Sequence, residues 1–436
     1  MSRAFHDASA LVDDNLALAL APALTPDGLA ESPIFFSGFA AQPLVLARGL
    51  LTLADITSTR YFQFSPSAQR DPVLTAHGDR LRAEVFSACN SVYARLDLLP
   101  DAFDSGELAH GTTNVDINLA TRAALGRVAR DQLLHLDIGA SGLTVSTLDE
   151  TATERPVEMP ARWVRAFGNV AELHHGLPHA FTLSGPLAKA FLAALPGVTS
   201  TGRDGWLTAK GQLSPRRAAG GVKVRGLHRL GALKRLLPHV TGASVHGTQE
   251  QGSVVVTVDL PGARITLGLT DEAWRGHSGE GSLLTGLAGP QALEDADLLA
   301  ALLAFEPVID LGRLERDSGL TTQRVRGGLA VLAASGRVGW DTADDAWFHR
   351  ELPHDPSHVD KDNPRLVKAR ALVESGSVQQ DGDGVWRVTS GDGPGYTVRR
   401  GDGALTCTCT WYLRHGTGRG PCAHALAADL ASRERA

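Results

Sequence analysis

Residues 32–39 read SPIFFSGF and residues 44–55 read LVLARGLLTLAD. The first stretch has the aromatic, β-branched content of a strand; the second places apolar residues at helical spacing, so a strand leads into an amphipathic helix. Three more strands are expected at Thr59–Ser65, Gly78–Ser87 and Ser91–Leu98, where apolar and polar residues alternate. The order strand, helix, three strands then recurs. Thr113–Ile117 (TNVDI) opens a second unit, with a helix from Asn118 to Val128 and strands at Leu133–Ile138, Leu143–Leu148 and Glu154–Met159.

A third unit, the least complete, starts at Ala180–Leu183 and continues into a helix from Pro186 to Leu195, with proline in the first helical turn. A fourth comprises Gly220–Arg225, a helix from Leu227 to Leu237, and strands at Ala243–Thr248, Ser253–Leu260 and Ala263–Leu269. Repetition therefore organises residues 32–270. No glycine-rich first turn accompanies it, which argues against a dinucleotide fold. These βαβββ-like units, with the phrase VDINL at 115–119 opening a helix, resemble sliding DNA clamps of the proliferating-cell nuclear antigen and bacterial clamp type. The resemblance implies an N-terminal segment over 1–30, clamp-like α+β domains over 31–162 and 163–275, and repeat helices lining a DNA-facing hole. An unrelated pair of α+β domains is the competing reading.

Length supports several domains, since 436 residues divided by roughly 150 per domain gives about three. No run reaches the ~18 apolar residues of a membrane span. The longest candidate, Asn15–Leu24, is short and follows two aspartates. The N-terminus lacks a basic n-region, so the expected setting is cytoplasmic. With 42 basic against 48 acidic residues the net charge is −6, which excludes an all-over basic coat and makes any nucleic-acid contact local.

One stretch is locally basic. Gly205–Gln249 holds Lys210, Arg216, Arg217, Lys223, Arg225, Arg229, Lys234 and Arg235 and no acid. Arg229, Lys234 and Arg235 fall on an expected repeat helix, and the other three carry Arg48, Arg122 with Arg127, and Lys189. On the clamp reading these side chains track phosphates without reading bases. On the plainer reading they solvate outward helix faces.

After a Gly-rich break the chain turns helical: Ala292–Phe305, then Leu311–Asp317 capped by Asp310 and ended by Gly319, then a helix from Thr321 or Thr322 to Ala334 closed by Gly336. Strands are expected at Arg337–Trp340 and Ala346–Leu352. Three helices and a hairpin resemble a winged helix-turn-helix over 290–353, which would set Gln323, Arg324 and Arg326 at the start of a recognition helix. Winged helices also dock proteins, and a wing carrying Asp341, Asp344 and Asp345 would repel phosphate.

Four cysteines are too few for a disulfide scaffold, and three lie within sixteen residues: Cys407-Thr408-Cys409, a twelve-residue spacer, then Cys422-Ala423-His424. A CxC on a strand points both sulfurs to one face, and the CxH pair at a helix start completes a Cys3His shell for one structural zinc ion with no open position. The pattern looks like a SWIM zinc finger, with strands at Val385–Thr389, Tyr396–Arg400 and Leu405–Cys409 and a terminal helix giving a ββα layout over 385–436, behind a helical linker over 354–384. Membership of a bacterial SWIM zinc finger family implies binding to DNA or to protein partners such as a RecA-like recombinase or a MoxR-type ATPase. In the spacer, Trp411, Arg414 and Arg419 suit base stacking and phosphate pairing, while Trp411 and Tyr412 equally suit covering a small zinc core.

Common catalytic signatures are absent: no P-loop, HExxH, GxSxG or kinase motif. His174, His175 and His179, and His349, His354 and His358 with Asp360, lack ligand spacing and read as turn or surface histidines. Cys89 reads as a buried small hydrophobe on a strand, and Asp381 with Asp383 as a turn. The chain is therefore expected to be a non-enzymatic, zinc-binding, DNA-associated α+β protein of recombination, repair or regulation, with no small-molecule substrate. A protein adaptor without DNA contact is the alternative.

Overall fold

The computed structural model describes residues 10–12, 15–17, 23–25, 28–30, 34–62, 72–157, 159–200, 202–279, 281, 283–287, 289, 291–352, 363–389, 395–401, 404–416 and 418–433. The first repeat unit is β1 (Ile34–Ala40), α1 (Pro43–Thr57), β2 (Val73–His77), β3 (Leu81–Phe86) and β4 (Val92–Leu98). Pro43 sits in the first turn of α1, where its missing N–H costs no hydrogen bond. After β5 (Phe103–Leu108), the second unit is β6 (His110–Asn114), α2 (Leu119–Arg127), β7 (His135–Gly139), β8 (Gly142–Ser146) and β9 (Thr151–Glu154). Asn118 caps α2, its Oδ1 accepting from the Ala120 and Thr121 N–H groups at 2.7 and 3.2 Å.

Helix α3 (Ala161–His175) links this pair to the next. The third unit is β10 (His179–Ser184), α4 (Gly185–Ala194), β11 (Gly205–Leu207) and β12 (Leu213–Ser214). The fourth is β13 (Val222–Val224), a run of 3₁₀ turns over Leu227–His239, β14 (Gly242–Gly247), β15 (Val254–Leu260) and β16 (Ala263–Leu269).

Within each pair the units exchange their first strands. β6 of the second unit pairs with β2 of the first, and β1 of the first pairs with β7 of the second. Likewise β10 joins β14, and β13 joins β11. Strands β4 and β16 then pair antiparallel, Leu98 opposite Ala263, and weld both pairs into one eight-stranded sheet of order β6-β2-β3-β4-β16-β15-β14-β10. Its order is a palindrome of units. Helices α1, α2, α4 and the 3₁₀ run form the layer beside it, burying Leu46, Leu50, Leu53, Phe191, Leu230 and Leu233.

The opposite face of that sheet is polar and yet buried. Arg82 and Glu84 on β3 stand opposite Asp97 and Arg95 on β4, and Arg264 on β16 stands opposite Asp97. The cover comes from the C-terminal half. There α5 (Leu284–Leu287), α6 (Ala292–Leu302), α7 (Leu311–Ser318) and α8 (Thr322–Ala334) precede a hairpin of β17 (Val338–Asp341) and β18 (Ala346–His349). Asp310 and Thr321 cap α7 and α8, and Gly319 ends α7 in the left-handed conformation at φ 69°.

The last part is α9 (Pro364–Glu374), a sheet of β19 (Val378–Gly382), β20 (Val385–Val388), β21 (Tyr396–Arg400) and β22 (Leu405–Cys407), then α10 (Thr410–His415) and α11 (Ala423–Arg433). Leu366, Ala369 and Leu372 of α9 share the core of α11 and the sheet, so 364–374 is part of this body rather than a linker.

Several expected elements shift. Residues 59–62 form no strand, and the remainder of the one expected over 59–65 lies outside the described residues; the strand that fills its place is β2. Strand β5 and helix α3 were not anticipated, although Trp163, Ala166, Phe167 and Val170 carry helical spacing and are all buried. The expected helix over 227–237 is wound as tighter 3₁₀ turns that reach Pro238 and His239. Among the described residues, no helix is long and apolar enough to cross a membrane.

Candidate metal centre and nucleic-acid interface

Strand β22 delivers Cys407, and the chain then turns so that Cys409 caps α10, its sulfur accepting from the Tyr412 N–H at 3.4 Å. The two thiols do not share a strand as the CxC spacing suggested; the second stands at a helix start. Cys422 precedes α11 and accepts from the Ala425 N–H at 3.4 Å. His424 lies in the first turn of α11, its ring stacked on Tyr396 with centroids 4.4 Å apart. Two of the three sulfurs thus receive backbone N–H groups at helix N-termini, where negative charge is favoured.

The four side chains are buried, and one ligand atom from each falls within 4.8 Å of the others. A tetrahedral shell with metal–sulfur bonds of about 2.3 Å has sulfur–sulfur edges of about 3.8 Å, so a small contraction closes the cluster on an ion. His424 Nε2 is buried without a hydrogen-bond partner, and Nδ1 stands 3.9 Å from Cys407 Sγ. Hydrogen bonding from the Cys407 thiol pushes the Cys422 thiol down to about 4, and Cys407 moves upward in return. A cation displaces that proton and takes its place. These residues can hold one metal ion.

The basic residues proposed for nucleic acid are scattered in environment. Arg229 is fully buried, donating to the carbonyls of Arg225, Thr270 and Ser91 and to Thr270 Oγ1, so it braces the fold and cannot reach a phosphate. Arg225 pairs with Asp271 and Glu272, and Lys223 Nζ reaches the Glu250 carbonyl at 3.5 Å. The acid-free segment is therefore partly neutralised by acids lying outside it in sequence. Arg122 and Arg235 both reach Asp55 of α1 at 2.5 Å. Lys234 is exposed and donates to the Leu195 carbonyl at 2.8 Å; Arg127 is exposed and pairs with Glu150.

On α8, Gln323, Arg324 and Arg326 are exposed, with Arg324 tied to Asp295 of α6 at 2.6 Å. The hairpin does not project as a wing. Asp341 and Asp344 point back into the eight-stranded sheet, where Arg80, Arg82, Arg95 and Arg264 neutralise them. Arg350 likewise pairs with Glu84. Acids that would repel phosphate on a wing here bind one half of the chain to the other.

In the spacer, Trp411 is half-buried beneath the Arg365 guanidinium, 4.8 Å from its ring centroid; Arg414 is exposed; and Arg419 donates to the Gly279 carbonyl. A groove of about 440 Å³ beside them is lined by Thr285, Arg400, Tyr412, Gly420, Pro421 and Asp429. Sequence reasoning singled out His415 in the spacer but missed Trp274 and Arg275, just before the Gly-rich break, and Arg365 on α9. A Trp-Arg pair just before that break was the available signal; Trp274 is exposed and Arg275 buried.

Other candidates resolve as structure. His174 is buried against Tyr93 and His277, His175 packs on Trp340, and His179 on His246, so this trio is dispersed and His174 is no surface residue. His349 is buried, while His354, His358 and Asp360 lie outside the described residues. Cys89 sits in the turn between β3 and β4 and accepts from the Tyr61 N–H at 3.3 Å. A contact of Ser37, His135 and Asp137 exists on the second sheet, but Ser37 donates its proton to Asp137 at 2.7 Å and lies 3.4 Å from His135. That is the reverse of an activated nucleophile.

No protein-family profile matches the chain, and no curated protein does. Similar solved structures include the proliferating cellular nuclear antigen of Entamoeba histolytica, at 13% identity and a TM-score of 0.37, over 54% of this chain and 98% of that one. The PCNA2–PCNA3 complex of Sulfolobus tokodaii is similar at 11% identity and a TM-score of 0.39, over 54% of this chain and 99% of that one. The PCNA of A. fulgidus, bound to the C-terminal region of FEN-1, is similar at 12% identity and 0.38, over 54% and 97%. The exchange of first strands between paired βαβββ units is seen in this chain independently of these scores.

Proposed function

We propose that this protein is a zinc-stabilised, non-catalytic, DNA-associated protein that grips the phosphate backbone through its repeat helices. One observation carries the reading. The four repeat helices hold seven basic residues, Arg48, Arg122, Arg127, Lys189, Arg229, Lys234 and Arg235, against a single acid, Asp55. The whole chain has 42 basic and 48 acidic residues, so the bias belongs to this layer. With Arg229 buried and Arg48 and Arg122 half-buried, Arg127, Lys189, Lys234 and Arg235 are exposed. Two of the seven converge on His239: Arg48 Nη1 lies 2.9 Å from His239 Nε2, and His239 is held below its usual range by burial and by Arg48, Arg130 and Lys189. Such a surface meets phosphates without reading sequence.

The Cys3His centre suits zinc, whose tetrahedral shell three thiolates and an imidazole complete without leaving a catalytic position. A SWIM-type finger and a winged-helix-like module would then add contacts in recombination, repair or regulation. A second reading, an adaptor for a RecA-like recombinase or a MoxR-type ATPase, is favoured by one feature: Leu293 and Leu298 on α6 and Val308 are exposed apolar residues on the helical module.

A salt titration of duplex binding separates the two. Phosphate contacts make log affinity fall with log salt at roughly 0.9 per phosphate, and Arg127→Glu with Lys189→Glu should weaken binding and flatten that slope. Negligible duplex binding in low salt removes the reading.

A further inference from the structure

Two glycines set the seam between the repeat half and the finger. Gly420 adopts φ +70°, and a Cβ there would stand 2.1 Å from the Gly281 carbonyl oxygen; a Cβ on Gly281 would stand 2.2 Å from Arg365 Nη2. Only bare backbone allows so close an approach. The loop 418–421 is thereby pressed against the segment that follows β16, and side chains from three parts of the sequence meet.

Arg275, after β16, donates to the Gly418 carbonyl at 3.5 Å. Arg419 answers with a bond to the Gly279 carbonyl at 3.4 Å. Arg365 of α9 donates to the Arg419 and Pro421 carbonyls at 2.7 and 3.0 Å and lies over Trp411. Trp411 in turn packs edge-on to His415, centroids 5.0 Å apart. Burial, and then Arg419, Arg275, Arg414 and Arg365, lower the His415 imidazole below its usual range. Beside Arg275, Trp274 is 55% exposed, and Leu413 on α10 is 74% exposed.

From this juxtaposition we infer that the seam is a binding site for single-stranded DNA, with Arg365, Arg414 and Arg419 following the backbone and Trp274 offering its ring to an unpaired base, while the buried Arg275 braces the loop beneath them. The strandedness follows from the tryptophan. Bases in a duplex already stack on each other, so an exposed indole beside convergent guanidiniums finds a partner only in an unpaired base. Arg365 stacked on Trp411 and held by two carbonyls is fixed before any ligand arrives, which lowers the ordering cost of binding. This site rests on the reading of the chain as DNA-associated, and differs from the helix layer in position and in ligand.

The test uses the full-length zinc-loaded protein with a fluorescent 20-mer of deoxythymidine and a 20-base-pair duplex, both followed by anisotropy. Trp274→Ala and Arg414→Glu, two exposed side chains, should each weaken oligothymidine binding roughly tenfold and leave duplex affinity and zinc content unchanged. Arg127→Glu with Lys189→Glu should do the reverse, lowering duplex affinity alone. Oligothymidine binding indifferent to both seam variants, or duplex binding without oligothymidine binding, overturns the seam site and leaves the helix-layer reading standing. Absence of binding to either DNA overturns both.

Discussion

Asp341 Oδ1 lies 2.7 Å from Arg95 Nη2, with the two side chains 0% and 1% exposed. The other carboxylate oxygen reaches Arg264 at 2.6 Å and Arg82 at 2.8 Å, so one residue of the hairpin joins Asp97 of the sheet in compensating three guanidiniums. The Arg82 guanidinium also stacks on Phe348 of β18 at 3.9 Å. The halves of the chain are joined by buried charge as well as by apolar contacts such as Leu352 in the core of the repeat half.

Removing Asp341 should therefore be costly. Asp341→Ala leaves Arg82, Arg95 and Arg264 with Asp97 and the half-buried Asp344 as their remaining carboxylate partners, an under-compensated buried cluster that should cost about 3–5 kcal/mol, readable in urea unfolding. The exposed neighbour Asp345→Asn should stay within about 0.5 kcal/mol. Equal effects from the two would mean the buried cluster contributes no more than a surface aspartate.

Metal removal should unfold one part only. Cys422→Ser or Cys409→Ser should release about one equivalent of zinc and expose the amides of 378–433 to hydrogen exchange, because metal affinity is folding energy in so small a body. The amides of β2, β3 and β15 should keep their protection. Zinc content that ignores these substitutions would show that the cluster is not the ligand set.

Acid should weaken the fold before the carboxylates titrate. His77, His174, His277 and His349 are held neutral by burial first, then by neighbours including Arg82, Arg95, Arg229 and Arg337, with His277 down to about 3. Their folded values lie below the unfolded one near 6.5, so the unfolded chain binds the extra protons. Stability is full above about pH 6.5 and falls by up to about 1.4 kcal/mol per pH unit for each imidazole below it. The urea midpoint at pH 5 should lie clearly under that at pH 7.5, and His277→Leu should shrink the gap. A midpoint flat across that range would mean the folded protein accepts these protons.

Opening the seam needs one methyl group. Gly420→Ala meets both a left-handed φ and a backbone oxygen at 2.1 Å, whereas Gly376→Ala meets a φ of +68° in open space. The first should cost about 1–3 kcal/mol and raise hydrogen exchange over 418–421. The second isolates the conformational part and should cost less. Indistinguishable effects would mean the close approach to Gly281 is not tight.

The Cys3His cluster was legible because its four residues come in two local pairs, and local spacing survives folding almost unchanged. What spacing could not show was the geometry between the pairs: the strand stops at Cys407, and Cys409 becomes a helix cap. The repeat order was legible through periodicity, yet β2 was displaced by a neighbouring aromatic stretch, and α3 passed unseen in a presumed linker despite its helical spacing. The basic segment was legible as a run of charges. Its partners were not, because Asp55, Asp271 and Glu272 come from other elements.

By itself the sequence determined the α+β order, the repeated units and the four side chains able to hold a metal ion, since each depends on residues a few positions apart. The tertiary structure alone decided which polar faces are inside. Arg82 and Glu84 on β3, and Arg95 and Asp97 on β4, alternate with apolar residues as a solvated strand face would, and all four are buried. Their cover is a distant hairpin, Arg82 and its partner Asp341 standing 259 positions apart. Periodicity reports that two faces of a strand differ; only a distant partner with opposite charge decides whether the polar face meets water or protein.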